Sequence, residues 1–244
     1  MQISAVVITK NSISTLSKCL DSLIKVADEI IIVDSGSTDL TLTTAQEYGC
    51  KIIHTTWLGY GPTKNLGHLA ASGTYVLSLD SDEELSADLI IELNSIKNQL
   101  NGVYGFKRLN NYCGKWIRYG AWYPDKKTRL FPKEILWNDS ASHEQLILSS
   151  NQKITYLSSS LLHYAYRSKA ELKAKTYLYA RLGAISKKNT GKFAAVLKMI
   201  FSPIVSFIKS YFIKLGFLDG RFGFDISFYN AMGTFLKYKN LIKS

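Results

Sequence analysis

The first hundred residues alternate between short apolar runs rich in β-branched residues and stretches whose apolar residues have helical spacing. The apolar runs are ISAVVITKN at 3–11, EIIIVDSGSTDLT at 29–41, KIIHTTW at 51–57 and TYVLSLD at 74–80. Helical spacing follows each of them, at 12–27, 42–49, 62–72 and 86–100. Strands that are apolar on both faces are typical of a parallel sheet covered by helices on both sides. The alternation therefore predicts an α/β fold with a mostly parallel sheet flanked by helices.

Two loops that carry acidic residues follow predicted strands, DSGSTD at 34–39 and DSD at 80–82. Ligands of open α/β sheets bind beyond the carboxyl ends of the strands. Asp80 and Asp82 can hold Mg²⁺ or Mn²⁺ through hard carboxylate oxygens, and the ion can bind the phosphates of a nucleotide. An acidic turn is the competing interpretation. Glu83 can then face water or favour the start of the helix that Ser86 caps.

Several other classes of protein are disfavoured by missing motifs. No G-x-G-x-x-G follows the first strand and no G-x-x-x-x-G-K-[ST] is present, so dinucleotide and P-loop folds are disfavoured. The three cysteines are widely spaced and form no C-x-x-C pair, which argues against a zinc knuckle or a disulfide framework. The opening MQISAVVITKN has no basic leader before its apolar run. We therefore expect a cytoplasmic protein.

The positive charge is concentrated in the last third of the chain. Residues 1–162 hold 15 Lys and Arg against 16 Asp and Glu, whereas residues 163–244 hold 15 against 3. This asymmetry predicts a polyanion or an anionic membrane surface as partner of the last third. A basic solvated face without a partner is the alternative.

An apolar helical stretch at 193–218 lies within this basic third. Its longest charge-free run, Met199–Ile208, has ten residues and contains Pro203, which is short for a bilayer span. Lys198 and Lys209 are eleven residues apart and share a helix face. The pattern predicts a helix that lies in a membrane interface, with a core helix as the alternative. We expect a catalytic domain at 1–165 and a basic, helical, membrane-associating region at 166–244.

Several motifs in order along the chain resemble the family 2 glycosyltransferases, whose fold is called GT-A. They are VVITKN, VDSGSTDLT, PTKNLGHLAASG and VLSLDSDEEL. The resemblance continues through GKWIRYGAWYPDKKTRLF (114–131), SHEQL (142–146), LHYAYRS (162–168) and KSYFIKLGFLDGRFGF (209–224). These segments look like the branch that glucosylates the inner-core heptose of bacterial lipopolysaccharide or lipooligosaccharide.

The resemblance implies donor-binding roles for residues in the first four motifs. Thr9 and Asn11 would contact the nucleotide, and Asp34 would face the uracil or the ribose. Lys64 would approach the diphosphate. Asp80 would bind ribose or a metal-bound water, while Asp82 would bind Mg²⁺ or Mn²⁺ directly.

Inversion by a single displacement, which the resemblance implies, needs a base for the acceptor hydroxyl. Glu144 fits this role best and Asp125 is the second candidate. Arg129 either pairs with an acid in the core or contacts a phosphate. Trp122 either stacks on a sugar or packs in a loop core. His143 either contacts the metal or a phosphate or is structural.

The implied function is therefore transfer of glucose from UDP-glucose to heptose of a lipid A-core acceptor, at the inner face of the cytoplasmic membrane. Transfer to another cell-surface polysaccharide or glycolipid is the alternative. A nucleotidyltransferase is disfavoured because ITKNSIST lacks a loop rich in glycine and arginine. A nucleic-acid partner is not expected, since no module of that kind is recognisable. His163 and Arg167 have no assigned role.

Overall fold

The computed structural model describes residues 2–139, 144–185 and 191–243, apart from the side chain of Lys192. The strands are β1 Ile3–Thr9, β2 Glu29–Asp34, β3 Lys51–His54, β4 Tyr75–Asp80, β5 Glu83–Leu85, β6 Val103–Tyr112, β7 Lys115–Ile117, β8 Asp125–Pro132 and β9 Ile154–Tyr166. The α-helices are α1 Ile13–Leu23, α2 Thr41–Glu47, α3 Tyr60–Ala70, α4 Ala87–Ile96, α5 Lys169–Ile185, α6 Lys192–Ile208 and α7 Gly220–Lys243.

The strands form one sheet in the order β3-β2-β1-β4-β8-β6-β9-β5, and β7 pairs with β6. The four strands that the alternation predicts are β1 to β4, and they pair with one another in parallel. Antiparallel pairs, such as β4 with β8, extend this parallel half. Residues 103–165 contain β6 and β9 with 10 and 13 residues, which no periodic pattern predicts. Their mixed polar and aromatic residues hide the strand period.

Strand β1 is apolar at nearly every position because both of its faces are covered. Ala5 and Val7 lie in a core with Leu16 and Leu20 of α1. Val6 and Ile8 face the opposite side, where the second core includes residues of α3. Successive side chains of a strand point to opposite faces, so a strand between two layers must be apolar throughout.

Helix α3 lies very close to the sheet. A Cβ placed on Gly67 would come within 2.3 Å of a methyl carbon of Val6 and 2.9 Å of one on Val33. Only glycine leaves room for this approach, which brings the polar side chains of α3 down to the sheet.

Two compact units divide the chain. The first comprises residues 1–108 and 126–163, and the second comprises residues 109–125 and 164–244. The second unit thus groups residues 109–125 with the C-terminal helices. The predicted division into a catalytic domain at 1–165 and a membrane-associating region at 166–244 stays a prediction. Within the second unit, one apolar cluster includes Tyr112, Ile226 and Tyr229.

The apolar stretch at 193–218 begins as α6 and continues as a π-helical turn, Lys209–Ile213. Leu215 then adopts a left-handed backbone conformation with φ of 57°, which ends the helix before the position expected. By length and composition, Phe193–Ile213 is the one helical segment in the described chain that is long and apolar enough to cross a membrane. Only 11% of its apolar 18-residue window is buried.

Candidate active site

The strand register brings three predicted donor-binding residues to one edge of the sheet. Thr9 pairs with Asp34 across β1 and β2, and Ile8 pairs with Asp80 across β1 and β4. The prediction that the two acid-bearing loops meet at the carboxyl edge is confirmed by this register. A cavity of about 210 Å³ opens there, lined by Ile8, Thr9, Lys10, Ser12, Trp57, Tyr60, Asp80, Ser81 and Asp82.

The loop that follows β2 is built around Asp34, which is 1% exposed. Its carboxylate accepts hydrogen bonds from the N–H groups of Gly36 and Ser37, each at 3.0 Å. Asn11 ties the loop after β1 to this one, because its Oδ1 accepts from the Thr38 N–H at 2.8 Å and its own N–H donates to Ser37 Oγ at 2.9 Å. The two loops thus form one hydrogen-bonded unit, and the predicted nucleotide contacts of Asp34 and Asn11 stay predictions.

Thr9 lines this cavity of about 210 Å³ with its hydroxyl. The side chain is buried, and Oγ1 has no hydrogen-bond partner in the described part of the chain. A buried polar group left in this state costs roughly 1–3 kcal/mol, which a ligand in the cavity would relieve. Trp57 and Tyr60, exposed and edge to face at 4.8 Å, line the same cavity. Sequence reasoning missed this pair, although WLGY between a strand and a helix was a usable signal.

Asp80 is held between two buried cations. Its Oδ2 lies 2.7 Å from Arg129 Nη2, and its Oδ1 lies 3.1 Å from Lys64 Nζ. Burial alone would raise the pKa of Asp80, but Arg129 and Lys64 outweigh it and hold that pKa well below the usual range. Asp80 is therefore a fixed anion. Of the two alternatives for Arg129, pairing with an acid in the core is the one observed.

Glu83 completes this arrangement from β5. Its side chain is fully buried and contacts Arg129 at 2.7 Å and Arg108 at 3.1 Å. Glu83 also accepts the Asp80 N–H at 3.1 Å. The expectation that Glu83 faces water or the start of the next helix is wrong, because two arginines compensate its charge in the interior. Ser86 does cap α4, as its Oγ accepts the Leu89 N–H at 3.1 Å.

Lys64 connects Asp80 to the predicted base. Its ammonium is fully buried and donates to Glu144 Oε1 at 2.9 Å. Its predicted contact with the diphosphate stays a prediction. Asp80 and Glu144 both line a cavity of about 580 Å³, whose other walls come from Arg108, Lys126, Lys127, Thr128, Arg129, Trp137, Gln145, Leu146, Leu148 and Ile154. One lysine thus fixes two carboxylates of a single cavity.

A buried polar cluster supports Lys64 from behind. Asn65 bonds the backbone of Trp137 in both directions, at 2.9 Å each, and the Trp137 ring lies 4.8 Å from Lys64 Nζ. The Trp137 indole N–H donates to His68 Nε2 at 3.3 Å. Burial, aided by Lys64, lowers the pKa of His68 to about 3, so this histidine is neutral. Sequence reasoning assigned no role to Asn65, His68 or Trp137.

Asp82 stands apart from this network. Its side chain is 37% exposed, and its Oδ2 lies 3.5 Å from His163 Nε2 on β9. Within the described ranges, no three His, Cys, Asp or Glu side chains converge as a metal site. A carboxylate oxygen beside an imidazole nitrogen nevertheless suits a divalent ion such as Mn²⁺ that takes its other ligands from a nucleotide and water. The residues present therefore fit the predicted metal, with His163 as an unforeseen member.

The remaining predicted residues are distributed as follows. Trp122 and Asp125 belong to the second unit. Trp122 stacks on Tyr166 with ring centroids 5.3 Å apart, which is the packing alternative, and its sugar contact stays a prediction. The predicted role of Asp125 as second candidate for the base also stays a prediction. His143 lies outside the described residues.

Comparison with known proteins identifies the family. Residues 4–150 match the family model Glycosyl transferase family 2. The chain belongs to this family. It is 30% identical over 253 residues to an uncharacterized glycosyltransferase of Rickettsia bellii, with 98% of this chain and 86% of the relative covered. It is 29% identical to the lipopolysaccharide core biosynthesis glycosyltransferase LpsC of Rhizobium meliloti, with 97% and 90% covered.

A solved structure supports the fold. The family 2 chain is similar to S. aureus TarS 1-349 in complex with UDP, with a TM-score of 0.51 and 21% identity, over 96% of this chain and 80% of that one. The predicted GT-A fold with a helical C-terminal region is confirmed. The protein is a glycosyltransferase with a relative in lipopolysaccharide core biosynthesis.

Proposed function

We propose that this glycosyltransferase inverts the anomeric centre while it transfers glucose from UDP-glucose to a heptose of a lipopolysaccharide or lipooligosaccharide core. The observation that carries the proposal is the salt-bridge chain from Asp80 through Lys64 to Glu144 along one cavity. It connects the edge of the sheet where a nucleotide would lie to a carboxylate suited to act as a base.

The donor nucleotide would occupy the smaller cavity. The Thr9 hydroxyl, the loop that Asn11 and Asp34 organise, and the exposed Trp57 and Tyr60 rings supply hydrogen-bonding and stacking groups there. UDP as the nucleotide is supported by the complex that TarS forms with it.

A Mg²⁺ or Mn²⁺ ion would be held by Asp82 and His163. Such an ion supplies Lewis-acid neutralisation of the diphosphate charge. Asp80 would contribute as a fixed anion, because its two oxygens form ion pairs with Lys64 and Arg129.

Glu144 would take the proton from the acceptor hydroxyl, which raises the nucleophilicity of that oxygen as it attacks the anomeric carbon. Lys64 holds Oε1 of Glu144 at 2.9 Å, and the second carboxylate oxygen would accept the proton. Asp125 is the other candidate for the base.

The acceptor would be a glycolipid, the lipid A-core, at the inner leaflet of the cytoplasmic membrane. The excess of 15 Lys and Arg over 3 acids in residues 163–244 supports this location, since each basic residue near an anionic leaflet adds about 1 kcal/mol of attraction. Similarity to LpsC favours this acceptor over other cell-surface glycans.

The donor and the metal can be tested together by thermal shift with UDP-glucose, UDP-galactose and UDP-N-acetylglucosamine, with and without Mn²⁺. We expect the largest rise in melting temperature for UDP-glucose with Mn²⁺. Asp82→Asn should remove the Mn²⁺-dependent part of the shift and abolish transfer. Asp88→Asn, at an exposed site in the first turn of α4, is the matched control. Full activity of the wild type in the presence of a chelator would exclude the metal role.

A further inference from the structure

The second unit exposes a large apolar surface, hereafter the apolar face. About half of the exposed large apolar side chains in the described ranges fall between residues 193 and 228. They are Phe193, Val196, Leu197, Ile200, Phe201, Ile204, Val205, Ile208, Phe212, Ile213, Leu215, Phe217, Leu218, Phe224 and Phe228. Exposed apolar side chains concentrated in this way are typical of an interaction site.

The apolar face follows one side of α6. At about 100° per residue, its exposed apolar residues on α6 cover roughly half of the helix circumference. Phe193 and Ile204 lie near the middle of this arc and are 79% and 56% exposed. Lys198 and Lys209 are exposed and lie together at one edge of the arc. An apolar arc bordered by lysines is the pattern of a helix that lies in the plane of a membrane interface.

Aromatic side chains extend the apolar face beyond α6. Phe207 stacks on Tyr211 at 5.3 Å, and both rings contact Phe224 of α7 at 5.8 Å. Phe224 in turn stacks with Phe228 at 6.3 Å. Aromatic rings concentrate at the boundary between lipid headgroups and acyl chains.

The opposite side of α6 is committed to the fold of the second unit. Ala195 is 1% exposed and lies in a cluster with Tyr238 and Leu241 of α7, against which Met199 also packs. A helix that crosses the bilayer would have to leave this cluster. Pro203 and the two lysines at the edge also suit an in-plane position better than a span.

The occupant of the apolar face is set by charge. Lys198, Lys209, Lys214 and Arg221 lie on or beside it, within a region that carries 15 Lys and Arg against 3 acids. A second copy of the chain would bring the same positive charge to the contact, which is unfavourable. An anionic bilayer offers both apolar depth and negative charge.

We propose that the apolar face is an in-plane anchor that enters one leaflet of an anionic bilayer to the depth of the headgroup–acyl boundary, with the lysines of its edge among the headgroups. This inference deepens the membrane location given above and is independent of the chemistry at Glu144. The anchor would hold the enzyme on the surface that carries its lipid-linked acceptor.

The experiment is flotation of the full-length protein with vesicles of phosphatidylcholine alone and of phosphatidylcholine mixed with phosphatidylglycerol. We expect binding to the mixed vesicles only, weakened at high salt. The double variant Ile200→Gln/Ile204→Gln should bind at least about tenfold more weakly because two anchor side chains become polar. Leu69→Gln/Ile91→Gln, at residues 67% and 69% exposed in the first unit, is the matched control and should bind like the wild type.

The position of α6 in the bilayer is measured with Phe201→Trp and brominated lipids. Quenching by bromine near the headgroups, and not at the chain ends, is expected. Strong quenching from the chain ends would show a spanning helix and would overturn the proposal. The proposal would also be overturned, in favour of a second copy of the chain, if the wild type did not bind vesicles and formed a dimer in light scattering. Ile200→Gln/Ile204→Gln would then be a monomer. Thermal shift with UDP-glucose and Mn²⁺ in each variant reports separately on the donor site.

Discussion

The two units of this glycosyltransferase differ in which side chains they bury: the first buries charged groups, and the second leaves large apolar groups exposed. In the first, Glu83 and Arg129 are removed from water and paired at 2.7 Å. In the second, side chains such as Phe193 and Ile213 remain 79% and 71% exposed. Buried ions cost desolvation energy and exposed apolar groups cost hydration energy, so neither arrangement is what stability alone favours. The contrast indicates two kinds of function, fixed geometry in one unit and contact with a partner in the other.

The largest effect is expected at the predicted base. Glu144→Gln keeps the shape of the side chain but removes its ability to accept a proton, so transfer should fall about 10²–10⁴-fold. Binding of UDP with Mn²⁺, measured by calorimetry, should be unchanged. Glu134→Gln, an exposed neighbour on the same segment, is the control. Retained transfer would move the base to Asp125.

The buried charges can be compared directly with an exposed pair. Glu83→Ala leaves Arg129 and Arg108 without this carboxylate and should lower the free energy of unfolding by about 3–5 kcal/mol. Glu171→Gln weakens the ion pair with Lys175 on α5, whose charged atoms are 3.7 Å apart and partly exposed. The free energy of unfolding should change by less than about 0.5 kcal/mol. Urea unfolding measures both variants. Equal losses would contradict the distinction between the units.

The buried histidine should make stability depend on pH. The pKa of His68 is lowered from 6.5 to about 3 in the folded state, so the unfolded chain binds more protons between these values. The free energy of unfolding is therefore highest above pH 6.5 and falls as the pH falls toward 3. The decrease due to His68 is about 2 kcal/mol between pH 8 and pH 5. His68→Phe should flatten this slope, whereas the exposed His54→Gln should keep it. An unchanged slope in His68→Phe would show that His68 is not the source.

The smallest effect is expected on the apolar face. Ile200→Gln/Ile204→Gln replaces side chains that are 51% and 56% exposed, so the free energy of unfolding should change by no more than about 0.5 kcal/mol per site. Urea unfolding measures this change. Ile31→Ala, at a fully buried site, is the comparison and should lower the free energy of unfolding by about 2–5 kcal/mol. A large loss in the double variant would mean that this face is part of the fold.

The parallel half of the fold and its ligand edge were predictable because their signals are local. Continuous apolar strands report burial on both faces, and acids at strand ends report the carboxyl edge, as the pairing of Thr9 with Asp34 confirms. Glu83 was not predictable, since its partners Arg108 and Arg129 are 25 and 46 residues away and no local period connects them.

The same limit explains other differences. His163 reaches Asp82 only because β9 pairs with β5, a contact across 81 residues of sequence. The motif around Lys64 indicates only a contact with the diphosphate. In the structure, α3 brings Lys64 into the interior between two carboxylates. Side chains whose partners come from distant strands need the sheet topology before their roles can be assigned.

Transfer from a nucleotide sugar, with Glu144 as base and Asp82 as metal ligand, is tested most directly by following labelled glucose from UDP-glucose into a heptose-terminated lipooligosaccharide acceptor. The wild type should label the acceptor in the presence of Mn²⁺ and stop when a chelator is added. Glu144→Gln should bind UDP without labelling the acceptor. Asp82→Asn should lose the Mn²⁺-dependent part of UDP binding and should not label the acceptor. Labelling at the wild-type rate by both variants would contradict the account.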